Sequence, residues 1–517
     1  MRRATGALRR PAFAMAAGTT LSRATGLVRT VALASAVGVT ALGDAYNTAN
    51  TAPNMIFQLA AGGLLSSAVV PLLAGAPDER RRSEIASVLL GVVVTAGVVV
   101  SLLLAVAAPA VMRVLTLGAR GRAGYPEFLA VGTSWLRMFA PQVGLYGVSV
   151  LSVGILQARG RLAIASVAPV VTNIITTAAA VVFIANAGSR ATSPGTVESG
   201  QVALLGWGTT LGVAAMGALH LWGARRAETG LRLRFAFRDP AVGELRRLGT
   251  WILVYVVVNQ IGYAVVVALA NSVDGGVTAY QWAFTLMQLP YAVIAVSVHS
   301  AAFPRMARAA VAGTDMAEQV VRPARVCVVL LVPAAVGLAL LALPVATAVV
   351  GRAGAALVAS ALAGFAASLV PFALFQLFAR AFYARRDART PAIVNIGVNT
   401  VNVAVNLAVV ATTDSVLLRV AGFAAGHAAS YVVGCLLLSR ALHRDSALGA
   451  LSMFTGLARI LAASSIMALV VAGAVVLLPD SGSRPTAAAG AFVVAFLGAA
   501  VYALVAWKVA LQAVLRP

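Results

Sequence analysis

Two arginines, Arg23 and Arg29, lie inside the first long apolar stretch of the chain, roughly residues 13–41. A charged side chain at the centre of a bilayer costs about 2.5–3.5 kcal/mol, so such residues persist mainly beside hydrated cavities or opposite charges. No Asp or Glu lies within one helical turn of either arginine. Because guanidinium groups bind phosphate in a bidentate manner, the pair predicts a cavity wall that binds an anion. The alternative is that both arginines snorkel or bind carbonyl groups of neighbouring helices.

Polar side chains on other segments are candidates for the same cavity. In the second segment four of them follow a 3-4-4 spacing and therefore share one helix face: Asn47, Asn50, Asn54 and Gln58. The predicted substrate contacts are Asn50, Asn54 and Gln58, joined by Asn259, Gln281 and Gln288 from later segments.

A second polar stripe consists of four asparagines at 4-3-4 spacing: Asn395, Asn399, Asn402 and Asn406. These residues also share one helix face. The stripe predicts either a site for a monovalent ion or hydrogen bonds between helices, and the spacing alone does not choose between them.

The composition is that of a helical membrane protein. Of 517 residues, 60% are hydrophobic and only 11% are charged, and the mean hydropathy is +0.92. This predicts an all-α polytopic protein with about fourteen transmembrane helices. The predicted segments lie near residues 12–40, 44–75, 84–116, 130–158, 162–188, 200–224, 246–271, 276–310, 322–350, 355–385, 389–411, 416–441, 456–478 and 487–510.

The net charge of +23 reflects membrane orientation. If the loops are numbered alternately, 29 of the 39 Lys and Arg residues fall on the side of the N-terminus, and 8 fall on the other. The positive-inside rule then predicts a multi-pass protein of the cell membrane with both termini in the cytoplasm. The basic side is expected to contact membrane lipids, and no nucleic-acid partner is expected.

Short echoes indicate an internal duplication. Residues 67–71 and 300–304 are similar at an offset of 233, and Ala158-Arg159 matches Ala384-Arg385 at an offset of 226. We therefore predict two parallel six-helix repeats followed by two C-terminal helices. The expected boundaries are 1–224 for the first lobe, 225–249 for a cytoplasmic linker, 250–445 for the second lobe and 446–517 for the last two helices.

Nothing in the chain indicates an enzyme. It contains no phosphate loop, no His/Cys cluster with metal-ligand spacing and no nucleophile elbow. The two cysteines, Cys327 and Cys435, lie in apolar segments and are expected to be packing residues. No cofactor and no metal are predicted.

Several motifs together resemble one transporter family. They are Ser22–Arg29, Asp44–Tyr46, Pro53-Asn54, 63–71, Pro141–Val143, Ile155–Ala158, Ala168–Asn173, Leu289-Pro290, Phe303–Arg308 and Phe382–Arg385. On these residues the chain resembles the MurJ (MviN) lipid II flippases of the multidrug/oligosaccharidyl-lipid/polysaccharide exporter superfamily. The resemblance spans at least residues 20 to 400, and the Ala-, Val- and Arg-rich composition is typical of an actinobacterial member.

The resemblance implies a function and a set of site residues. It implies a V-shaped bundle that moves a polyprenyl-diphosphate-linked cell-wall precursor, lipid II, to the outer leaflet by alternating access, for peptidoglycan synthesis. It further implies that Arg23 and Arg29, beside Ser22, bind the diphosphate, that Asp44 lies near the periplasmic gate, and that the last two helices form a groove for the lipid tail.

The chain departs from the family pattern at positions that are otherwise charged. Neutral residues stand there: Phe57, Gln58, Gly62 and Thr285. The cavity is therefore less cationic than the family pattern implies. Two alternatives follow, a flippase for another lipid-linked oligosaccharide and a non-transporting membrane scaffold for cell-wall enzymes.

Overall fold

The computed structural model describes residues 2–59, 69–187, 193–314, 316–444, 456–478 and 483–515, and these ranges contain helices and no strand. The α-helices are α1 (Arg2–Ala36), α2 (Ala41–Leu59), α3 (Val70–Ala74), α4 (Glu79–Leu115), α5 (Tyr125–Phe139), α6 (Gln142–Ala158), α7 (Leu162–Ala187), α8 (Ser199–Ala227), α9 (Pro240–Ala270), α10 (Gly276–Pro290), α11 (Val296–Ala312), α12 (Ala317–Leu340), α13 (Ala342–Val350), α14 (Arg352–Ala366), α15 (Leu369–Ala384), α16 (Arg389–Thr412), α17 (Val416–Arg444), α18 (Leu457–Val476) and α19 (Arg484–Leu515). The predicted all-α class is confirmed.

Ten helices in the described ranges are long and apolar enough to cross a membrane, and the bent pair α14–α15, with its 48° break, raises the number to eleven. The apolar part of α9, Val254–Ala270, is shorter. Helices α1 and α2 fall outside this set because polar side chains interrupt them, Arg23 and Arg29 in α1 and the asparagines in α2. The protein is a multi-pass membrane protein, and the number fourteen stays a prediction.

The order of helix breaks repeats along the chain. Helices α5, α6 and α7 begin at Tyr125, Gln142 and Leu162, and α14, α15 and α16 each begin 227 residues later. Each set contains one helix that breaks and restarts within three residues, with Pro141 as the N-cap of α6 and Pro371 in the first turn of α15. This regular offset supports the duplication, although the individual sequence echoes are short.

The chain divides into two compact units, Met1–Gln260 and Ile261–Pro517. The segments 445–455 and 479–482, and residues 60–68 with part of one sequence echo, lie outside the described residues. The predicted lobe boundaries therefore stay a prediction, although the division inside α9 is close to the expected start of the second lobe.

Each unit has its own mode of packing. In the first unit, α4 and α6 approach closely at two glycines, since a Cβ atom added to Gly97 would lie 2.6 Å from the Cα atom of Gly144. In the second unit, α14, α15 and α17 meet in an aromatic cluster around the buried His427 ring. Its centroid lies 5.3 Å from that of Phe365 and 4.7 Å from that of Tyr431. Histidine at 427 is thus a packed core residue, as its apolar sequence context indicates.

The close approach of α4 and α6 gives a stability prediction. The Gly97→Ala change is expected to destabilise the protein by roughly 1–3 kcal/mol, because backbone atoms of α6 would have to move. The matched control is Gly337→Ala on α12, where an added Cβ would meet no atom within 4 Å and where alanine favours the helix. Thermal unfolding in detergent measures both. An equal effect of the two changes would contradict the close packing.

Candidate functional site

Helix α1 is held against α7 by small residues and one asparagine. A Cβ atom on Gly18 would lie 2.5 Å from Ser166 Oγ, so a larger residue would require the Ser166 side chain to move. The side-chain amide of Asn173 donates to the backbone carbonyl of Ser22 and to Thr25 Oγ1, both at 3.0 Å. Two hydrogen bonds from one amide fix both the position of α1 along its axis and its rotation relative to α7.

That rotation decides where the two arginines lie. Gly18, Ser22 and Thr25 are spaced 4-3, and Arg29 continues the row four residues later, on the face that packs inward. Arg29 is half-buried, and its Nε atom is buried with no hydrogen-bond partner. Arg23 lies on a different face and is exposed.

Neither arginine is neutralised within the part of the chain that the structure describes, where each lacks an ion pair with Asp or Glu and a side-chain hydrogen bond. Among the described residues, no backbone carbonyl group of a neighbouring helix binds either guanidinium group. The chemical requirement of the predicted anion site, cationic groups without a protein partner, is met in the first unit.

Aromatic residues of α2 and α6 surround Arg29 at a distance. The guanidinium group is within electrostatic range of the phenol groups of Tyr46 and Tyr146. The Tyr46 hydroxyl is 2.7 Å from Thr209 Oγ1, and its ring packs edge-on against Trp135 at 5.4 Å. The inner wall beside Arg29 is therefore rigid and only weakly polar.

The polar stripe of α2 divides between buried and exposed positions. The Oδ1 atom of Asn50 is buried and accepts no hydrogen bond in the described structure. The Asn54 side-chain amide donates to the Asn50 backbone carbonyl at 2.7 Å, and Gln58 is exposed. Asn50 thus offers a free acceptor inside the first unit, whereas Asn54 is partly used by its own helix.

Asp44, the predicted gate residue, is completely buried in the first turn of α2. Arg122, in the loop before α5, is half-buried over the Phe128 ring, with its Cζ atom 5.6 Å from the ring centroid. Burial lowers the pKa of Arg122, and the negative charge of Asp44 opposes that shift. The two charges are thus close enough to interact at the end of α2 where the helix begins.

The remaining predicted contacts lie on α9 and α10. Asn259, Gln281 and Gln288 are half-buried, and Asn259 and Gln281 interact with other residues of the structure.

The residues at which the sequence departs from the family pattern lie in varied surroundings. Thr285 is exposed, and its hydroxyl donates to the Gln281 carbonyl at 2.9 Å. Phe57, another departure, packs against Tyr146 with 4.5 Å between ring centroids. Gly62 lies outside the described residues.

The asparagine stripe of α16 contains two separate arrangements. The Asn399 amide donates to the Asn395 backbone carbonyl at 2.9 Å, which is a bond within the helix. Further toward the C-terminus of α16, the Asn406 amide donates to Asn402 Oδ1 at 3.0 Å. The Oδ1 atom of Asn406 is buried without a hydrogen-bond partner in the described structure. A Cβ atom on Gly426 of α17 would lie 2.6 Å from Asn406 Oδ1 and 3.2 Å from Asn402 Oδ1. Both amide oxygens therefore lie beside the α17 backbone.

Sequence reasoning assigned no role to the residues that orient the arginines. Asn173 and Thr25 entered only as parts of motifs, yet they fix α1 on α7. A signal was available, because glycine, serine and threonine recur on one face of the first segment, as is typical of close helix contacts in membranes.

The contact between α1 and α7 can be tested. The Asn173→Leu change removes both donated bonds and is expected to destabilise the first unit by about 1 kcal/mol, the usual size of one hydrogen bond between membrane helices. The control is Thr30→Val, since the Thr30 hydroxyl bonds only to Gly26 of its own helix. Thermal unfolding of the two variants is the measurement, and an unchanged midpoint for Asn173→Leu would contradict the assigned role.

Comparison with known proteins places these features in a family context. The family model described as "Lipid II flippase MurJ" matches residues 33–494. A probable lipid II flippase MurJ of Rhizobium meliloti is 26% identical over 475 residues, covering 88% of this chain and 85% of that protein. A lipid II flippase MurJ of Burkholderia cenocepacia is 25% identical and covers 69% of each chain.

Solved structures show a similar fold. A lipid II flippase MurJ in an inward closed conformation superposes with a TM-score of 0.76 over 95% of this chain and 97% of that chain, at 17% identity. A multidrug-resistance MATE family transporter of the MOP superfamily, in an inward-facing conformation, gives a TM-score of 0.66 over 81% of this chain and 95% of that chain, at 17% identity.

Proposed function

The chain belongs to the lipid II flippase MurJ family, and we propose on this premise that Arg23 and Arg29 bind the diphosphate of lipid II while the protein moves it across the cell membrane. The resemblance inferred from the N-terminal motifs is confirmed by the family match. The protein is accordingly a transporter for peptidoglycan synthesis rather than an enzyme, and its substrate is a lipid-linked cell-wall precursor.

The observation that carries this proposal is the unpaired state of the two guanidinium groups. A half-buried Arg29 with an orphan Nε atom is costly in a membrane unless a ligand or water solvates it. A diphosphate supplies several anionic oxygens and can accept bonds from both arginines. The exposed Arg23 would make the first contact and Arg29 the inner contact, because the two lie about 9 Å apart along the helix axis.

Other polar groups would then position the sugar headgroup. Asn50 supports this role, since its buried Oδ1 atom is an unused acceptor for a sugar hydroxyl. Asn54, Gln58, Asn259, Gln281 and Gln288 are further proposed contacts, and Ser22 contributes by fixing α1. Amides suit this task because they donate and accept at once.

We propose alternating access between the predicted lobes, 1–224 and 250–445, with the linker 225–249 and both termini on the cytoplasmic side. Parallel repeats in transporters provide two bodies that rock about a substrate site. Asp44, with its charge near Arg122, is the proposed gate at the opposite end of the first lobe. The two last helices, α18 and α19, are the proposed surface for the polyprenyl tail.

A monovalent cation is the proposed coupling partner. Asn402 and Asn406 support it, because their amide oxygens both lie beside Gly426. The oxygen of Asn406 accepts no hydrogen bond in the described part of the chain. Hard cations bind such oxygen ligands. An ion held by neutral amides would add a full positive charge to α16.

The arginine role is tested by translocation of labelled lipid II in proteoliposomes and by rescue of a flippase-depleted bacterium. Arg29→Ala is expected to slow translocation at least tenfold, roughly the value of one charge-assisted hydrogen bond, and Arg23→Ala is expected to weaken substrate binding. Arg29→Lys should retain part of the activity, because it keeps the charge without the planar fork.

The matched control is Arg113→Ala, an exposed arginine of α4 that makes no ion pair in the described structure. It should leave translocation unchanged. Rescue that survives both α1 substitutions would remove the arginines from the mechanism. Faster movement of a polyprenyl-diphosphate oligosaccharide than of lipid II would favour the alternative substrate.

The ion proposal has its own test. Replacing Na⁺ with K⁺ or choline is expected to slow translocation by the parent protein, and Asn406→Leu is expected to remove this dependence because it deletes the unused oxygen. The control is Thr400→Val, whose hydroxyl bonds only to Ile396 of the same helix. If the parent is indifferent to the cation, the stripe serves helix packing alone.

A further inference from the structure

The segment between α8 and α9 contains neither helix nor strand and lies against α4. The backbone N–H of Arg232 donates to Ser87 Oγ at 3.1 Å, and the backbone N–H of Arg234 donates to the Ser87 carbonyl at 3.3 Å. Leu231 is buried in the apolar core of the first unit together with Leu89 and Leu90. A connection of this kind is fixed in place, although its sequence is that of a hydrophilic loop.

The segment between α8 and α9 contacts α4 beyond the point where the apolar part of α4 begins. The apolar run of α4 begins at Ile85, and the backbone of Arg234 crosses α4 at Gly91, where a side chain would collide with it. Six helical residues separate those positions, or about 9 Å along the axis. Trp222, near the end of α8, is 47% exposed and has the Arg226 guanidinium 4.2 Å from its ring centroid, as expected for the membrane interface.

Apolar and basic side chains alternate along the exposed part of the segment. Leu233, Phe235 and Phe237 are 49%, 62% and 52% exposed. The intervening residues are Arg232, Arg234, Ala236 and Arg238, of which the three arginines are exposed. Exposed apolar and basic side chains therefore stand next to one another along the segment. Such a surface suits the boundary between acyl chains and headgroups.

A cavity of about 570 Å³ lies between this segment and the first turns of α4. Among its lining residues, Ser83 has a buried Oγ atom without a hydrogen-bond partner in the described structure. The carboxylates of Glu79 and Glu228 lie 2.6 and 2.8 Å from Arg159, and they raise the pKa of that arginine. Glu84, the third acidic residue of the lining, lies 3.3 Å from Arg80 and 3.4 Å from Arg81. Each of the three carboxylates therefore has a cationic partner.

Of the three arginines that line the cavity, Arg80 is paired with Glu84, whereas Arg232 and Arg234 are not paired with any described residue. In the described residues, the side chains of Arg232 and Arg234 make no ion pair and no hydrogen bond, whereas Arg81 is bound to Asp239 at 3.0 Å. Two guanidinium groups without an ion pair thus line a cavity at interface depth, beside Ser83 with its unused hydroxyl, and the charge of Arg234 also acts on Asp239.

We propose that the segment Leu231–Arg238 and the cavity beneath it form a binding site for one anionic phospholipid of the adjacent leaflet. Arg232 and Arg234 bind the phosphate, Ser83 contributes its hydroxyl, and Phe235 and Phe237 insert among the acyl chains. A lipid fits better than a free phosphate because it satisfies the charges and covers the exposed aromatic rings together. This site lies apart from Arg23 and Arg29 and does not depend on what they bind.

The first test measures ligand-induced stabilisation of the purified full chain in detergent. Short-chain phosphatidylglycerol is expected to raise the unfolding midpoint in a saturable manner, whereas phosphatidylcholine of equal chain length, glycerol 3-phosphate and inorganic phosphate are not. The double change Arg232→Gln and Arg234→Gln is expected to weaken the effect roughly thirtyfold. The charge-matched control, Arg308→Gln with Arg440→Gln, replaces two exposed arginines of the second unit and should retain it.

Equal stabilisation by the two lipids, or equal loss in the control, would overturn the proposal. Stabilisation by inorganic phosphate alone would show a site for a free anion and would equally overturn it. These readouts involve no translocation, so their failure is distinct from a failure of the proposed flippase mechanism.

The second test measures insertion. A Phe235→Cys variant in phosphatidylglycerol vesicles is expected to react with a membrane-impermeant maleimide at least about fivefold more slowly than in detergent. A Thr314→Cys variant, at an exposed turn of the second unit, should react equally in both. The parent protein, in which Cys327 is buried and Cys435 is half-buried, gives the background labelling that is subtracted. Unchanged labelling of Phe235→Cys would show that the segment stays in water.

Discussion

The charge of Arg29, held without a partner inside an otherwise apolar helical unit, is the constraint on which the rest of the structure depends. Such a charge is tolerated only where solvent or ligand can replace the missing partner. Its location follows from the contact of α1 with α7, where a glycine permits close approach and Asn173 binds the α1 backbone twice. The packing contacts and hydrogen bonds between α1 and α7 thereby set the position of the Arg29 charge.

The two halves of the chain share a helix order but differ in chemistry. The 227-residue offset repeats from α5–α7 to α14–α16. The first unit nevertheless carries unpaired cations, whereas the second carries neutral amides and an aromatic cluster around His427.

Arginines outside the membrane serve several purposes at once. Arg159 joins the start of α4 to the end of α8 through two carboxylates, and Arg81 holds Asp239 at the end of the linker. These pairs fix the linker against the first unit, which leaves Arg232 and Arg234 free. A count of positive charges per loop predicts orientation, but it cannot distinguish arginines that fasten the protein together from those that remain available to lipids.

The sequence by itself determined the fold class through its apolar periodicity and the family through its motifs, because both are properties of consecutive residues. It also indicated the two arginines as candidates, but folding could still have paired them with distant groups. The breaks between α5 and α6 and between α14 and α15 were not predicted, since 130–158 and 355–385 were each expected to be one segment, although Pro141 and Pro371 stand beside them. Only the tertiary structure decided that Arg29 turns inward and Arg23 outward, that Asn406 keeps an unused oxygen, and that the linker crosses α4 at Gly91. Those outcomes depend on the rotation and depth of one helix against another, which side-chain spacing along a single segment does not specify.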